Sequence, residues 1–178
     1  VSRLLVLVSG YNASGKSTLS RKLSEDLGCN RINGDDFLEF IRQSTPYFSD
    51  LDISHVNTKY DMLKQFKVDY RNQLATVLLQ ADQAVILDVS AHKKITRQQL
   101  MGPLKSIAGA KTAIIWIDIS EDELLRRLNA REQSEKWVEQ YHQKGAYERP
   151  GEDEADYVLR YDQNNYDEIK SRVAELLG

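Results

Sequence analysis

Apolar runs bounded by turn residues recur along the chain with helical stretches between them, the pattern of a parallel α/β sheet. Leu4 to Ser9 (LLVLVS) is apolar without alternation, as a parallel strand covered on both faces should be. A helix over Ser17 to Leu27 follows, with Leu19, Leu23 and Leu27 on one face and Gly28 placed to stop it. Cys29 to Ile32 reads as a short second strand, Asp36 to Gln43 as a helix, and Ser44 to Asp52, which contains Pro46 and two aromatics, as a loop. From about Asn57 to Asp82 the residues Leu63, Phe66, Tyr70, Leu74, Val77 and Leu78 recur at three- and four-residue spacing, which predicts a long helix. It leads to a buried strand at Ala84 to Asp88. Gly102 and Pro103 are expected to interrupt the helix from about Arg97 to Ile107. Lys111 to Ile119 is the third strong strand, and Ser120 followed by Glu121, Asp122 and Glu123 suits a capped helix N-terminus. Between Arg131 and Glu154 only Trp137 and Tyr141 look buried, which predicts a mobile cover and not core. Tyr157 to Leu159 is a last short strand and Tyr166 to Leu177 a closing amphipathic helix. With no internal repeat, low-complexity tract or linker, residues 1–178 are expected to form one domain, with a lid at about 124–154.

Composition narrows the class. The chain has 178 residues, 41% of them apolar and 29% charged, and 24 basic against 27 acidic residues leave a formal charge of -3. That argues against a broad basic nucleic-acid surface, though not against a local basic patch. The longest apolar runs, Leu4 to Val8 and Ala113 to Ile117, are far short of the roughly 20 residues that span a bilayer, so no membrane partner is expected. One cysteine, Cys29, cannot form an intrachain disulfide, and nothing before Leu4 resembles a secretory leader; together these give a cytoplasmic expectation.

The chemistry begins at Gly10 to Ser17, GYNASGKS, which matches G-x-x-x-x-G-K-[ST] between a buried strand and a helix. Such a loop wraps terminal phosphates with successive backbone N–H groups, so Gly10, Asn12, Ala13, Ser14, Gly15, Lys16, Ser17 and Thr18 form the expected nucleotide cradle. Lys16 adds a point charge toward the β and γ phosphates, and Ser17 offers its hydroxyl to Mg²⁺. Thr58-Lys59-Tyr60-Asp61 has the form of a guanine-reading motif, but it precedes the strand ending at Asp88 and follows no buried run. A D-x-x-G switch is also missing, since Asp88 is followed by Val89, Ser90 and Ala91.

Asp35 and Asp36 fall just beyond the second strand, where open α/β sheets place ligands. A kinase needs a group that orients and deprotonates the acceptor hydroxyl, and a carboxylate serves. The reading favours Asp35 as base and Asp36 as helix cap, since aspartate often caps. Asp88 ends a strand and suits a metal-holding acid. Arg127 and Arg131, four apart on one helix face, are placed to offset charge on the transferring phosphoryl group; pairing with Glu123 and Glu135 is the plainer use of them. Arg42 and Arg71 are weaker candidates for the acceptor side, and His55, His92 and His142 show no metal-ligand spacing. Phe37, Phe40, Tyr47 and Phe48 could stack on a ring, although packing is the commoner role.

With GYNASGKST, INGDDF, VILDVS and RRLNARE in that order, the chain resembles the P-loop kinases of small molecules and polynucleotides. The nearest likeness is to phage-type polynucleotide 5′-kinases and the zeta-toxin and chloramphenicol phosphotransferase branches. The resemblance implies a five-stranded parallel sheet in the order 2-3-1-4-5 with helices on both faces, ATP and Mg²⁺ as donor system, and a helical lid carrying arginines. By position it implies Lys16 and Ser17 as phosphate and metal residues, Asp35 as general base, Asp88 as the third-strand acid, and Arg127 or Arg131 as the lid arginine. Two positions depart from the pattern. Leu38 stands where polynucleotide kinases carry an arginine for the acceptor phosphate, and Ser90 stands where an asparagine is common. Both weaken a nucleic-acid 5′ end as acceptor and leave a small hydroxyl compound, such as a nucleoside or sugar nucleotide, at least as well supported. The rival expectation is a nucleotide-binding ATPase or switch module with no small-molecule acceptor.

Overall fold

The computed structural model describes residues 3–50, 58–107, 109–131, 134–145 and 147–178. The expected helix start at Asn57, the loop end at Asp52 and His55 lie outside these residues, as do Glu132, Gln133 and Ala146 of the expected lid.

The first strand, β1 (Leu4–Ser9), is buried at every position, as its unbroken apolar run requires. Successive side chains of a strand point to opposite faces, so Leu4, Val6 and Val8 enter one core layer and Leu5 and Leu7 the other. The layer holding Val6 is closed by Leu19 and Leu23 of α1 (Lys16–Leu27) and by Ile169, Val173 and Leu176 of α7 (Tyr166–Leu177). The layer holding Leu7 is closed by Ala75 and Leu79 of α3 (Thr58–Gln80) and by Leu100, Met101 and Leu104 of α4 (Lys94–Lys105). Each fully buried leucine of these layers contributes roughly 1.5–3 kcal/mol of transfer free energy.

Four further strands complete a parallel sheet: β2 (Asn30–Asn33), β3 (Val85–Asp88), β4 (Lys111–Ile117) and β5 (Tyr157–Tyr161). Their order is β2-β3-β1-β4-β5, with Leu5 beside Val85 on one side and Thr112 on the other. Every pairing is parallel, so the loops after β1, β2 and β3 open at one edge of the sheet. This is the expected architecture, and the strands lie within two residues of their expected bounds.

Three expectations need correction. Gly102 and Pro103 do not interrupt α4, which runs through both. Pro103 removes one helical hydrogen bond, but Leu100, Met101 and Leu104 on the same helix are buried, and that packing outweighs it. Asp36 does not cap α2 (Gly34–Ser44); Asn33 does, its Oδ1 accepting from the Asp35 and Asp36 amides at 2.7 and 3.4 Å. The segment from Arg131 to Glu154 is more than a cover, because Glu154 is buried and tied to Arg97 of α4 by two hydrogen bonds of 2.7 and 2.9 Å. A buried acid is invisible to a reading that looks for apolar residues. Ser120 caps α5 (Glu121–Asn129) as expected, and α6 (Ser134–Lys144) follows it. No helix among the described residues is long and apolar enough to cross a membrane.

Candidate nucleotide and phosphoryl-transfer site

The edge where β1, β2 and β3 end opens on a cavity of about 820 Å³. Its floor is the loop between β1 and α1, contributing Asn12, Ala13 and Gly15, and the first turn of α1, contributing Lys16, Ser17 and Thr18. Gly10 and Ser14, the other two members of the expected cradle, belong to the loop without lining the cavity. The backbone turns through positive φ at Ala13 (67°) and Gly15 (105°). Gly15 is also the N-cap of α1 and supplies no side-chain acceptor, so the first amides of the helix are left for an anion. The Lys16 ammonium is held over this loop by the Tyr11 carbonyl at 2.5 Å. These features fit the terminal phosphates of a nucleotide. A cradle of amides, a helix N-terminus and a lysine present donors and positive charge only.

Asp88 closes the wall beside Ser17. Its Oδ2 accepts from Arg31 Nη2 at 2.6 Å, Asn33 Nδ2 at 2.8 Å and Ser20 Oγ at 3.0 Å, and its carboxylate also hydrogen-bonds Ser17. Burial alone would raise the Asp88 pKa, but the Arg31 and Asn33 hydrogen bonds outweigh it and hold the group below the usual aspartate range. Asp88 and Ser17 together present oxygens of the kind Mg²⁺ takes, which fits a metal held at Ser17 with Asp88 behind it. Among the described residues no group of three or more His, Cys, Asp or Glu side chains is arranged to hold a metal by itself. Arg31 also reaches Asp36 Oδ2 at 2.6 Å, which is the use the structure makes of that second aspartate.

Asp35 stands at the cavity rim in the first turn of α2, 70% exposed, with Oδ1 3.3 Å from Lys67 Nζ. Arg127 and Arg131 both line the cavity. Arg127 Nη1 donates to the Ser14 carbonyl at 3.2 Å while Nε donates to Glu123 at 2.7 Å, and the Arg131 guanidinium lies 5.6 Å from the Trp137 ring centre. Hydrogen bonds from Arg126 and Arg127 bring the Glu123 pKa down to about 2, so it stays ionised. Arg126 does not line the cavity and pairs with Glu123. The expectation that Arg127 and Arg131 share one helix face needs correction, because α5 ends at Asn129 and Arg131 lies in the turn beyond it. α5, which bears Arg127, and α6 rest on the loop itself: Tyr11 packs with Leu124, Leu128, Trp137 and Tyr141, its ring centre 5.0 Å from that of Tyr141. Burial, with Glu121 accepting its hydroxyl proton, pushes the Tyr141 pKa up to about 12.

Other candidates resolve plainly. Arg71 lines the cavity; Arg42 does not and pairs with Glu39. Leu38 is fully buried against Leu63, and Ser90 lines the cavity, its hydroxyl donating to Asn12 Oδ1 at 2.7 Å. Phe37 stacks on Tyr70 at 4.2 Å and Phe48 packs edge-on to Tyr47; none of the four aromatic candidates borders the cavity. Arg31, Asn33, Lys64 and Lys67 escaped the sequence reading. Arg31 and Asn33 lie two apart on β2, on the face that Ile32 leaves, a period-two signal in a strand too short and polar to attract attention.

Comparison with known proteins agrees with this geometry. The AAA domain family matches residues 5–155. No curated protein matches the chain closely in sequence. A suspected kinase of Chloroflexus aurantiacus has a similar structure, with a TM-score of 0.70 at 19% identity over 99% of this chain and 96% of that one. The Kti12 protein of Chaetomium thermophilum, solved with ADP-AlF3, gives 0.66 at 17% over 98% and 99%. The Mycobacterium tuberculosis APS kinase CysC, solved with AMPPNP and APS, gives 0.62 at 18% over 99% and 98%. With its loop, its 2-3-1-4-5 sheet and this match, the chain belongs to the AAA domain family and has the fold of the P-loop kinases.

Proposed function

We propose that the protein is an ATP- and Mg²⁺-dependent kinase that transfers the γ-phosphoryl group to an acceptor hydroxyl. The observation that carries the reading is that one cavity is bordered by the phosphate loop, by Asp35, and by Arg127 and Arg131. A nucleotide switch needs the first of these, whereas phosphoryl transfer needs all three.

In this reading the loop amides and Lys16 hold the β and γ phosphates. The Ser17 hydroxyl, with Asp88 hydrogen-bonded behind it, would hold Mg²⁺, which when bound would supply neutralisation of the phosphate charge. Asp35 accepts a hydrogen bond from the acceptor hydroxyl. The acceptor oxygen attacks the γ-phosphorus, the bond from that phosphorus to the β–γ bridging oxygen breaks, and ADP leaves with its electron pair. The acceptor proton passes to Asp35 and from there to solvent. Arg127 and Arg131 offset charge spread over the transferring oxygens, while α5 and α6, seated on Tyr11, act as the cover that keeps water from competing.

The test is ADP formation from Mg²⁺-ATP against a panel of nucleosides, sugars, their phosphates and 5′-hydroxyl oligonucleotides, with Asp35→Asn in parallel. An acceptor that raises turnover above the acceptor-free rate, with that gain lost in the variant, supports the kinase. The likeness to Kti12 keeps a nucleotide-driven module as the second reading, and hydrolysis indifferent to acceptors and to Asp35→Asn would favour it.

A further inference from the structure

One face of α3 carries Tyr60, Lys64, Lys67 and Arg71 at spacings of four, three and four, and all of them border the cavity. Arg71 is the unusual member. It is only 6% exposed, and its guanidinium hydrogen-bonds the neutral Asn72 Oδ1 at 3.3 and 3.2 Å and meets no carboxylate among the described residues. The other deeply placed arginines are neutralised, Arg97 by Glu154 and Arg31 by Asp36 and Asp88. Burial pushes the Arg71 pKa down with nothing to restore it. A guanidinium keeps its proton in proteins all the same, so its charge is buried in want of an anion.

The neighbours point the same way. Lys64 meets no carboxylate among the described residues, and Lys67 shares its charge with Asp35. The Lys67 stem passes close to Gly34 at the start of α2, where a Cβ would lie 2.8 Å from Lys67 Cδ and force the stem to shift. Three positive groups against the one carboxylate of Asp35 leave a surplus of two, which matches a phosphate monoester of about −1.5 to −2 charge. The donor phosphates already have Lys16, the loop amides, Arg127 and Arg131.

We propose that Arg71, with Lys64 and Lys67, binds a phosphate monoester borne by the acceptor, so that the compound phosphorylated is a nucleotide or sugar phosphate and not a neutral alcohol. The word acceptor rests on the kinase reading above; the anion site does not. The planar fork of Arg71 grips two phosphate oxygens, the lysines add charge, and the acceptor hydroxyl is thereby held at Asp35.

The test is calorimetric titration of the protein saturated with AMPPNP and Mg²⁺, using inorganic phosphate, then adenosine 3′-phosphate against adenosine, fructose 6-phosphate against fructose, and gluconate. The expected result is inorganic phosphate binding, with at least tenfold preference for the phosphorylated member of any pair that binds. Arg71→Gln abolishes both and leaves AMPPNP affinity within twofold. Lys64→Glu, at an exposed position where folding is not at stake, weakens phosphate binding severalfold. In turnover, Arg71→Gln raises acceptor KM at least tenfold with a smaller change in kcat. The proposal is overturned if inorganic phosphate does not bind, if gluconate or the neutral members bind as well as the phosphates, or if phosphate binding survives Arg71→Gln. Equal loss of AMPPNP affinity also overturns it, since Arg71 would then serve the donor. A protein that binds phosphate through Arg71 yet makes no acceptor-dependent ADP keeps the anion site and loses the kinase reading. One that phosphorylates only neutral acceptors does the reverse.

Discussion

Asp35, in the first turn of α2, and Asp88, at the end of β3, border one cavity, and their surroundings suit them to different work. Asp88 is buried with its Oδ2 filled by three donors and its pKa held below the usual aspartate range, which suits it to hold its neighbours in place and not to take a proton at neutral pH. Asp35 is exposed and, among the described residues, its carboxylate has one weak partner, Lys67 at 3.3 Å, which suits it to receive an incoming hydroxyl in the proposed reaction. Asp35→Asn is therefore expected to lower acceptor-dependent kcat by about 10²–10⁴-fold, with nucleotide affinity measured by calorimetry unchanged. In the proposed reaction Arg127 is the arginine expected to act, since its guanidinium already touches the loop at the Ser14 carbonyl, while Arg131 lies against Trp137. Arg127→Ala should lower kcat by about 10³-fold or more, and Arg131→Ala by less, in single-turnover assays. Lys16 and Ser17 were legible in the sequence because their spacing is local. Arg31, Asn33, Lys64 and Lys67 were not, since only the closing of β2 and α3 around the cavity brings them to it. The heptad-like spacing of 60, 64, 67 and 71 is the trace that could have revealed the α3 face.

At the scale of elements, the tie between α4 and the stretch leading into β5 decides how the far side of the sheet is held. Arg97 and Glu154 are both about as buried as the leucines around them. Removing one partner leaves the other charged and unpaired, so Arg97→Met should destabilise by about 3–5 kcal/mol in urea unfolding. Arg97→Met with Glu154→Leu should recover most of that loss, because an apolar pair of similar volume often replaces a buried ion pair without penalty. Burial would raise the Glu154 pKa, but Arg97 and the Gly151 amide outweigh it and lower it. Asp88 is lowered in the same sense. A carboxylate depressed in the folded state stabilises above its unfolded pKa of about 4 and loses that contribution as pH falls through the folded value. Urea midpoints should accordingly be flat from about pH 7 to 5 and fall below pH 4, with a shallower fall in the Arg97→Met/Glu154→Leu variant. Sequence periodicity located the strands and helices because their faces are apolar, and it failed at Glu154 and at Pro103, where a charged partner or tertiary packing settles the structure instead.

For the whole molecule, the 2-3-1-4-5 order puts the ends of β1, β2 and β3 at one edge, and the loop, Asp35 and Asp88 meet there for that reason. α5 and α6 pack on a residue of the loop itself, Tyr11, and Arg127 of α5 and Trp137 of α6 border the same cavity. The loop and the two helices are thereby one packed unit, so in the proposed function phosphates bound at the loop would bear directly on the seat of α5 and α6. The overall plan was legible because alternating strands and helices with an unbroken first strand admit few arrangements. The α3 side of the cavity was legible only in part: Arg71 was named as a candidate, but Lys64 and Lys67 were not, because the sequence announced the apolar face of α3 and not its polar one. The central claim is that the γ-phosphoryl group ends on an acceptor oxygen and not on water. ATP labelled with ¹⁸O in the γ-phosphate, incubated with the protein and the phosphorylated and neutral acceptor pairs, tests it by mass spectrometry. The account predicts label in an acid-stable acceptor phosphate, lost in Asp35→Asn. Label found in inorganic phosphate alone, at a rate no acceptor and no change at Asp35 alters, would contradict it.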